Sequence, residues 1–147
     1  MPKSKTCLID ANVWLALDTD GHEHHVAARE WFLSLSSESA AFCRVTQMAF
    51  LRLLTNRAVM GQEVLTPREA WHRYDLLRRD WRVTFAAEPV GLEETWIGLM
   101  GERASGSSWT DAYLAAFALG HSCTLATFDR GFSRWKNLTL KLLPTLQ

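Results

Sequence analysis

The stretch Cys7-Leu8-Ile9-Asp10-Ala11-Asn12-Val13-Trp14-Leu15-Ala16-Leu17 constrains the fold more than any other. A short apolar run over residues 7–9 ends in an acid, and beyond Asp10 the apolar spacing becomes helical. Such a run fits a strand buried on both faces, as strands of parallel sheets are. Open parallel sheets bind their ligands just outside the carboxyl ends of their strands. Asp10 stands at such an end, so the question for the rest of the chain is which acids can join it.

Strands and helices alternate from there on. Residues 7–9 are expected as a first strand and about 12–17 as a helix. Asp18-Thr19-Asp20-Gly21 reads as a turn. Asp20 and Glu23 have the spacing of a capping box, and Ala28, Trp31, Phe32 and Leu35 share a face of the helix they would open. A polar loop over 34–39 leads to a second strand at 40–43. Thr46 is expected to cap a helix that turns Phe50, Leu53 and Leu54 inward and ends near Asn56. Thr66-Pro67-Arg68-Glu69 is a strong helix start, with a cap, a proline in the first turn and an acid three residues on. That helix runs to about Arg79. A third strand at 82–85, a helix at 92–103 and a loop at 104–108 follow. The most apolar helix covers 109–119 and Gly120 stops it. A fourth strand at 124–126, a turn at 129–132 and a short fifth strand at 138–142 close the chain. The alternation gives an α/β fold, a central parallel sheet of four to five strands covered on both faces with right-handed crossovers. There is no repeat, low-complexity tract or linker, so residues 1–147 are expected to form a single domain of ordinary size.

Charge narrows the function classes. Sixteen basic residues balance sixteen acidic ones, so no long-range field draws in nucleic acid and any such contact has to come from a local patch. Twelve of the basic residues are arginine, the residue suited to bidentate phosphate contacts. Cys7, Cys43 and Cys123 are odd in number, far apart and set in apolar runs, which fits buried reduced thiols and a cytoplasmic protein. Met1 to Thr6 leads into only three apolar residues, so no secretory leader is expected, and no apolar run approaches the length of a membrane span.

Most of the sixteen acids fall on polar helix faces or in loops. Three do not. Asp10 follows the first strand, Asp111 opens a helix with no other charge through Gly120, and Asp129 follows the fourth strand. Each has a simpler role as a helix or turn cap, with Asp111 three residues after Ser108 in the acid position of a capping box. If the first and fourth strands are neighbours, all three face one crevice. Two ionised carboxylates about 4 Å apart repel by about 4 kcal/mol at an effective dielectric of about 20. A cluster therefore requires a cation or retained protons. Oxygen ligands with little histidine suit Mg²⁺ or Mn²⁺, and such ions support hydrolysis of phosphodiesters.

The residues LIDANVWLAL at 8–17, TQMAFLRLLTN at 46–56, WTDAYLAAFAL at 109–119 and LATFDRGF at 125–132 resemble, in order and spacing, a PIN-domain ribonuclease, specifically the VapC-type toxins of bacterial toxin–antitoxin pairs. The resemblance covers nearly the whole chain. It implies a three-layer α/β/α fold and a type II toxin that hydrolyses RNA phosphodiester bonds with a metal-activated water. It also implies a VapB-type antitoxin as partner and a homodimer. On the family's pattern Asp10, Asp111 and Asp129 match the acidic metal-site positions, and Asn12 and Thr127 match the polar residues flanking the first and last acids. A hydroxyl at Thr127 can orient a carboxylate. One position departs: where many PIN domains carry a glutamate after the second strand, this chain has Ala49. Gln47 is nearby and offers a neutral oxygen in its place. The loss leaves open a PIN-fold protein with reduced or absent turnover that acts as an RNA- or partner-binding module.

The other chemistry-bearing groups are weighed more briefly. His22-Glu23-His24-His25 lacks the HExxH spacing, since position 26 is valine, and reads as the polar first turn of a helix. Arg130, Arg134 and Lys136 follow Asp129 and could hold an RNA backbone, or form a solvated turn. Arg78, Arg79 and Arg82 read as an exposed helix end. Trp14 and Trp109 flank site acids and could stack on a base, but core packing is the expected role of both. A receiver-type signalling domain also sets aspartates at strand ends, but it needs an acid pair after the first strand, and Asp10 has no acidic neighbour.

Overall fold

The computed structural model describes residues 5–101 and 106–145. Among these, five strands form one parallel sheet in the order β3-β2-β1-β4-β5. They are β1 (Thr6–Ile9), β2 (Ser39–Phe42), β3 (Val83–Phe85), β4 (Thr124–Thr127) and β5 (Leu140–Leu142). The helices are α1 (Ala11–Asp18), α2 (His25–Leu33), α3 (Arg44–Leu54), α4 (Arg57–Met60), α5 (Pro67–Arg78), α6 (Leu92–Leu99) and α7 (Gly106–Gly120). Single 3-10 segments cover Gly61–Glu63 and Arg130–Arg134.

Side-chain alternation along each strand divides the apolar residues between two layers. Ile9 and Ala126 join a cluster with Trp14 of α1, Phe32 of α2, Phe50 and Leu54 of α3 and Tyr74 of α5. Leu8 and Leu125 turn the other way, to Leu92 of α6, Ala115 and Phe117 of α7 and Phe132. The three-layer α/β/α architecture expected from the alternation is therefore present. Trp14 is fully buried and stacks on Phe42, ring centroids 3.9 Å apart and planes 6° from parallel, so the core role expected for it holds. The three cysteines are buried thiols.

Several local expectations give way to tertiary contacts. The Asp20–Glu23 capping box does not form: α2 begins at His25, whose Nδ1 lies 2.8 Å from the carbonyl of Ala16, and His24 takes the cap position without a side-chain bond. Tethering to the end of α1 sets the start of α2 in place of the acid. Thr46 is not the cap of α3. Cys43 is, and Thr46 reaches back from the third helical position to accept a hydrogen bond from the Cys43 N–H. The helix ends at Leu54, and Asn56 caps a further short helix, α4, by accepting from Ala58 N. The Thr66–Glu69 capping box of α5 forms as expected.

The helix expected over 92–103 ends at Leu99, and residues 102–105 lie outside the described residues. Helix α7 starts at Gly106, so Ser108 is inside it rather than in a loop, and Asp111 is too far along to be the acid of a capping box. Gly120 is the last residue of α7, and a Cβ there would fall 2.6 Å from Cγ of Pro89. Close packing thus requires this glycine, while Ser122 adopts the left-handed conformation beyond the helix end. Arg82 is not part of an exposed helix end. It pairs with Asp80 at 2.9 Å and lies over the ring of Phe32.

Candidate metal centre

The parallel pairing of β1 with β4 sets the site. Leu8 is in register with Leu125 and Ile9 with Ala126, so the residues after both strands emerge side by side at the carboxyl edge. The ladder continues one step: Asp10 N–H donates to the carbonyl of Ala126 at 2.9 Å. Asp10 is the N-cap of α1, where its Oδ1 accepts from Ala11 N at 2.8 Å. Its Oδ2 accepts from the hydroxyl of Thr127 at 2.7 Å. That hydroxyl in turn accepts the N–H of Asp129 at 3.0 Å. Thr127 is fully buried, so one threonine fixes the first acid and the backbone of the last. Asp129 caps the 3-10 segment after it, its Oδ1 accepting from Gly131 N at 2.8 Å.

The simpler cap readings of Asp10 and Asp129 are therefore true as geometry, and they do not exhaust either group. A carboxylate has about four lone-pair sites, and among the described residues hydrogen bonds occupy two on Asp10 and one on Asp129. Asp111, in α7, is half-buried and its Oδ2 lies 3.8 Å from Arg134 Nη2. The sequence offered Arg134 a phosphate-holding patch or a solvated turn and gave no sign of this pairing, which needed the 3-10 segment to curl Arg134 back toward α7. Arg134 also lies over the ring of Trp135 at 3.9 Å. Arg130 and Lys136 are exposed.

The electrostatics show the three acids acting on one another. Burial pushes the Asp10 carboxyl up to about 6, and the charges of Asp111 and Asp129 push the same way against the bonds from Thr127 and Ala11. Asp111 is raised by burial and by Asp129, with Arg134 opposing. The three are coupled without being closed: among the described residues, no three acid, histidine or cysteine side chains stand close enough to hold one ion. Asp111 and Asp129 thus act on Asp10 by charge, but the three acids form no ligand cage among the described residues. Asn12 Oδ1 is buried in the first turn of α1 with no hydrogen-bond partner among the described residues. Oxygen-only donors with like charges in excess of one guanidinium, and an unpartnered buried oxygen two residues after Asp10, fit a hard divalent cation.

Gln47 does not present an open oxygen. It is buried on α3 and its Oε1 accepts from Arg44 Nη1. Arg44 and Gln47 are three residues apart in the first turn of α3, a spacing that places two side chains on one face, and that was the available sign of the pairing. Ala49 is half-buried on the same helix. The histidine cluster at 22–25 does not gather on a metal: His25 faces α1, His24 packs against Phe128, and burial lowers the pKa of His22. Trp109 departs from its expected core role and is 57% exposed.

A proton on Asp10 links the site to stability. Its folded pKa is above its unfolded value, so the folded state holds the extra proton. The contribution is full below about pH 4 and is lost as pH rises through about 6. The shift from 3.8 to about 6 corresponds to about 3 kcal/mol. In a chelating buffer the chain is expected to lose this component between about pH 4 and 7, and Asp10→Asn is expected to lack it. Thermal melts of the two proteins at both pH values check the difference, and parallel pH dependence would contradict the assignment.

Residues 7–138 match the pattern of the PIN domain family. Among curated proteins, the chain is 44% identical to ribonuclease VapC41 of Mycobacterium tuberculosis, over 92% of this chain and 97% of that protein. It is 35% identical to ribonuclease VapC39 of the same organism, over 84% and 88% of the two. Among solved structures, its fold is similar to VapBC2 from Rickettsia felis bound to a promoter DNA fragment, with a TM-score of 0.68, 13% identity and coverage of 95% and 99%. The all-parallel sheet, the acids at its carboxyl edge and these likenesses place the chain in the PIN-domain family, among the VapC-type ribonucleases.

Proposed function

We propose that the chain is a metal-dependent endoribonuclease, the toxin of a type II toxin–antitoxin pair, that hydrolyses RNA phosphodiester bonds at the crevice of Asp10, Asp111 and Asp129. The observation that carries this is the mutual charge of the three acids at the meeting of β1, β4 and α7. Family membership supports the activity, since the curated relatives are ribonucleases by name.

An Mg²⁺ or Mn²⁺ ion would have to draw Asp10, Asp111 and Asp129 closer than they stand, and these three, with the buried Asn12 Oδ1 two residues from Asp10, are the residues that would hold it. Bound there, such an ion neutralises charge on a phosphoryl group and lowers the pKa of a water. The chain's own residues do the rest. Thr127 and the start of α1 hold Asp10 in one orientation. Burial raises the pKa of Asp10 and of Asp111, and the guanidinium of Arg134 opposes the shift of Asp111. Arg130, Arg134 and Lys136 flank Asp129 and would hold the RNA backbone. A VapB-type antitoxin, supported by the VapBC structures among the similar folds, and a second copy of the chain complete the proposed assembly. The described residues contain no helix long and apolar enough to cross a membrane. A cytoplasmic location, which the buried free thiols support, is part of the proposal.

A second reading rests on Ala49, which supplies no carboxylate where many PIN domains have one: a binding module with lowered turnover. Ala49→Glu separates the two. It is expected to tighten Mn²⁺ binding by about tenfold, the lower end of what one supporting group contributes to metal affinity. Calorimetric titration measures this, and unchanged affinity would mean that position 49 does not reach the ion.

A further inference from the structure

The first turns of α7 carry two different surfaces. Asp111 pairs toward Arg134, whereas Trp109, two residues earlier and so on the other side of the helix, turns toward α6. Trp96 meets the Trp109 ring edge-on, centroids 6.1 Å apart at 88°, and meets Tyr113 at 80°. Trp96 Nε1–H donates to the carbonyl of Trp109 at 3.0 Å, and Tyr113 donates its hydroxyl proton to Glu88 at 2.8 Å. The Trp96 indole is thus held by a hydrogen bond and the Trp109 indole rests edge-on against it, yet Trp109 is 57% and its neighbour Ile97 71% exposed. Two hollows share Trp96 and Trp109 as a wall. One, of about 420 Å³, is completed by Arg44, Val45, Glu88, Thr110 and Tyr113. The other, of about 400 Å³, is completed by Glu93, Ile97 and Met100. Arg44 stands just past the end of β2, on the same carboxyl edge of the sheet as the acids.

We propose that the cleft formed by Trp96 and Trp109, with Arg44 at its rim, is a stacking site for an unpaired nucleobase of the RNA strand whose backbone lies at the acids. The proposal rests on the nuclease reading and adds to it a means of holding single-stranded substrate. An exposed indole face accepts any base, since every base has a π-face. Arg44 uses one N–H on Gln47 out of five donors, and its guanidinium suits a phosphate beside the stacked base. A second copy of the chain fits less well. The core of a stable protein interface is depleted of charge, and here Arg44, Glu88 and Glu93 border the indoles.

The test uses the full chain carrying Asp10→Asn, which stops cleavage, with fluorescence anisotropy of two probes: an oligoriboadenylate and a ribose-phosphate strand of equal length without bases. The Trp109 protein is expected to prefer the strand with bases by about tenfold, within the range measured for stacking of one base on an aromatic residue. Trp109→Ala is expected to lose that preference while binding the abasic strand unchanged. Trp109→Leu, which keeps apolar bulk without a ring, is expected to behave as Trp109→Ala, and Trp109→Phe to keep part of the preference. Equal binding of the oligoriboadenylate by the Trp109 protein and Trp109→Leu would overturn the proposal and leave the nuclease reading standing. A variant that dissociates an oligomer and weakens both probes alike would make the cleft an interface between copies, and so also overturn it. If the chain with native Asp10 cleaves no RNA and neither probe binds, the nuclease reading and this proposal fall together.

Discussion

Asp10→Asn is expected to reduce RNA cleavage by about a thousandfold or more while leaving the chain folded. The change removes one negative charge from the acid whose position is most constrained: capping α1 through one oxygen and bound by Thr127 through the other. Charge stabilisation by a metal ion is worth several kcal/mol, and each 1.36 kcal/mol of barrier is about tenfold in rate. The fold should tolerate the change because the ionised form of Asp10 is the disfavoured one, its carboxyl pushed up to about 6 by burial first and by its acidic neighbours after that. A neutral side chain of the same shape removes the repulsion with Asp111 and Asp129. A gel assay of a labelled structured RNA with Mg²⁺ or Mn²⁺, beside a thermal melt, reads both expectations. Retained cleavage would remove Asp10 from the site, and a large drop in melting temperature would mean that its role is mainly to cap α1.

Thr127→Val is expected to weaken metal-supported cleavage by about 10–100-fold, the range found when a group that orients a metal ligand is lost. The swap preserves shape and removes only the hydroxyl, at a residue with no exposed surface. Two bonds disappear at once: the one donated to Asp10 Oδ2 and the one accepted from Asp129 N–H. Leaving a buried N–H without a partner costs about 1–3 kcal/mol, so a lower melting temperature should accompany the lost activity. The bond from Thr127 also lowers the Asp10 pKa. Without it the carboxyl holds its proton to higher pH, and because protons compete with metal for the ligand, the pH at which metal binds should rise. Thr127→Ser keeps the hydroxyl and is expected to restore most of the activity. Equal activity of the Val and Ser variants would reduce Thr127 to a packing residue.

The parts of the fold legible in the sequence were those set by burial on two faces. The run ending at Asp10 and the apolar stretch from Leu125 to Thr127 are dictated by a parallel sheet's need for apolar side chains above and below, so their identity and adjacency could be read. Starts and stops set by tertiary contact could not. His25 is tied to Ala16, which overrode the Asp20 cap, and Pro89 against Gly120 is a packing contact with no local signature. Helix α4 spans four residues, too short for any periodicity to register. At the site, the meeting of Asp10 and Asp129 hung on whether β1 and β4 are neighbours, which the pairing of the two strands answers, and the part of Thr127 came from the family resemblance. The pairing of Arg134 with Asp111 depends on how the turn after Asp129 curls, which the sequence does not show, whereas that of Arg44 with Gln47 was signalled by their three-residue spacing on α3. Trp109 was the instructive miss. Tryptophan is mostly buried by habit, and only the position of α6 reveals that this one is held open to solvent.

The central claim is that the acids at the carboxyl edge act through a divalent cation on RNA. Its most direct test is cleavage of a structured RNA by the purified chain, free of any antitoxin, as a function of Mg²⁺ or Mn²⁺ concentration. Cleavage that rises with metal to a plateau, stops on chelation and is absent from Asp10→Asn is the expected result. Cleavage undiminished in chelator, or none at any metal concentration by a folded chain that still binds the RNA, would contradict it.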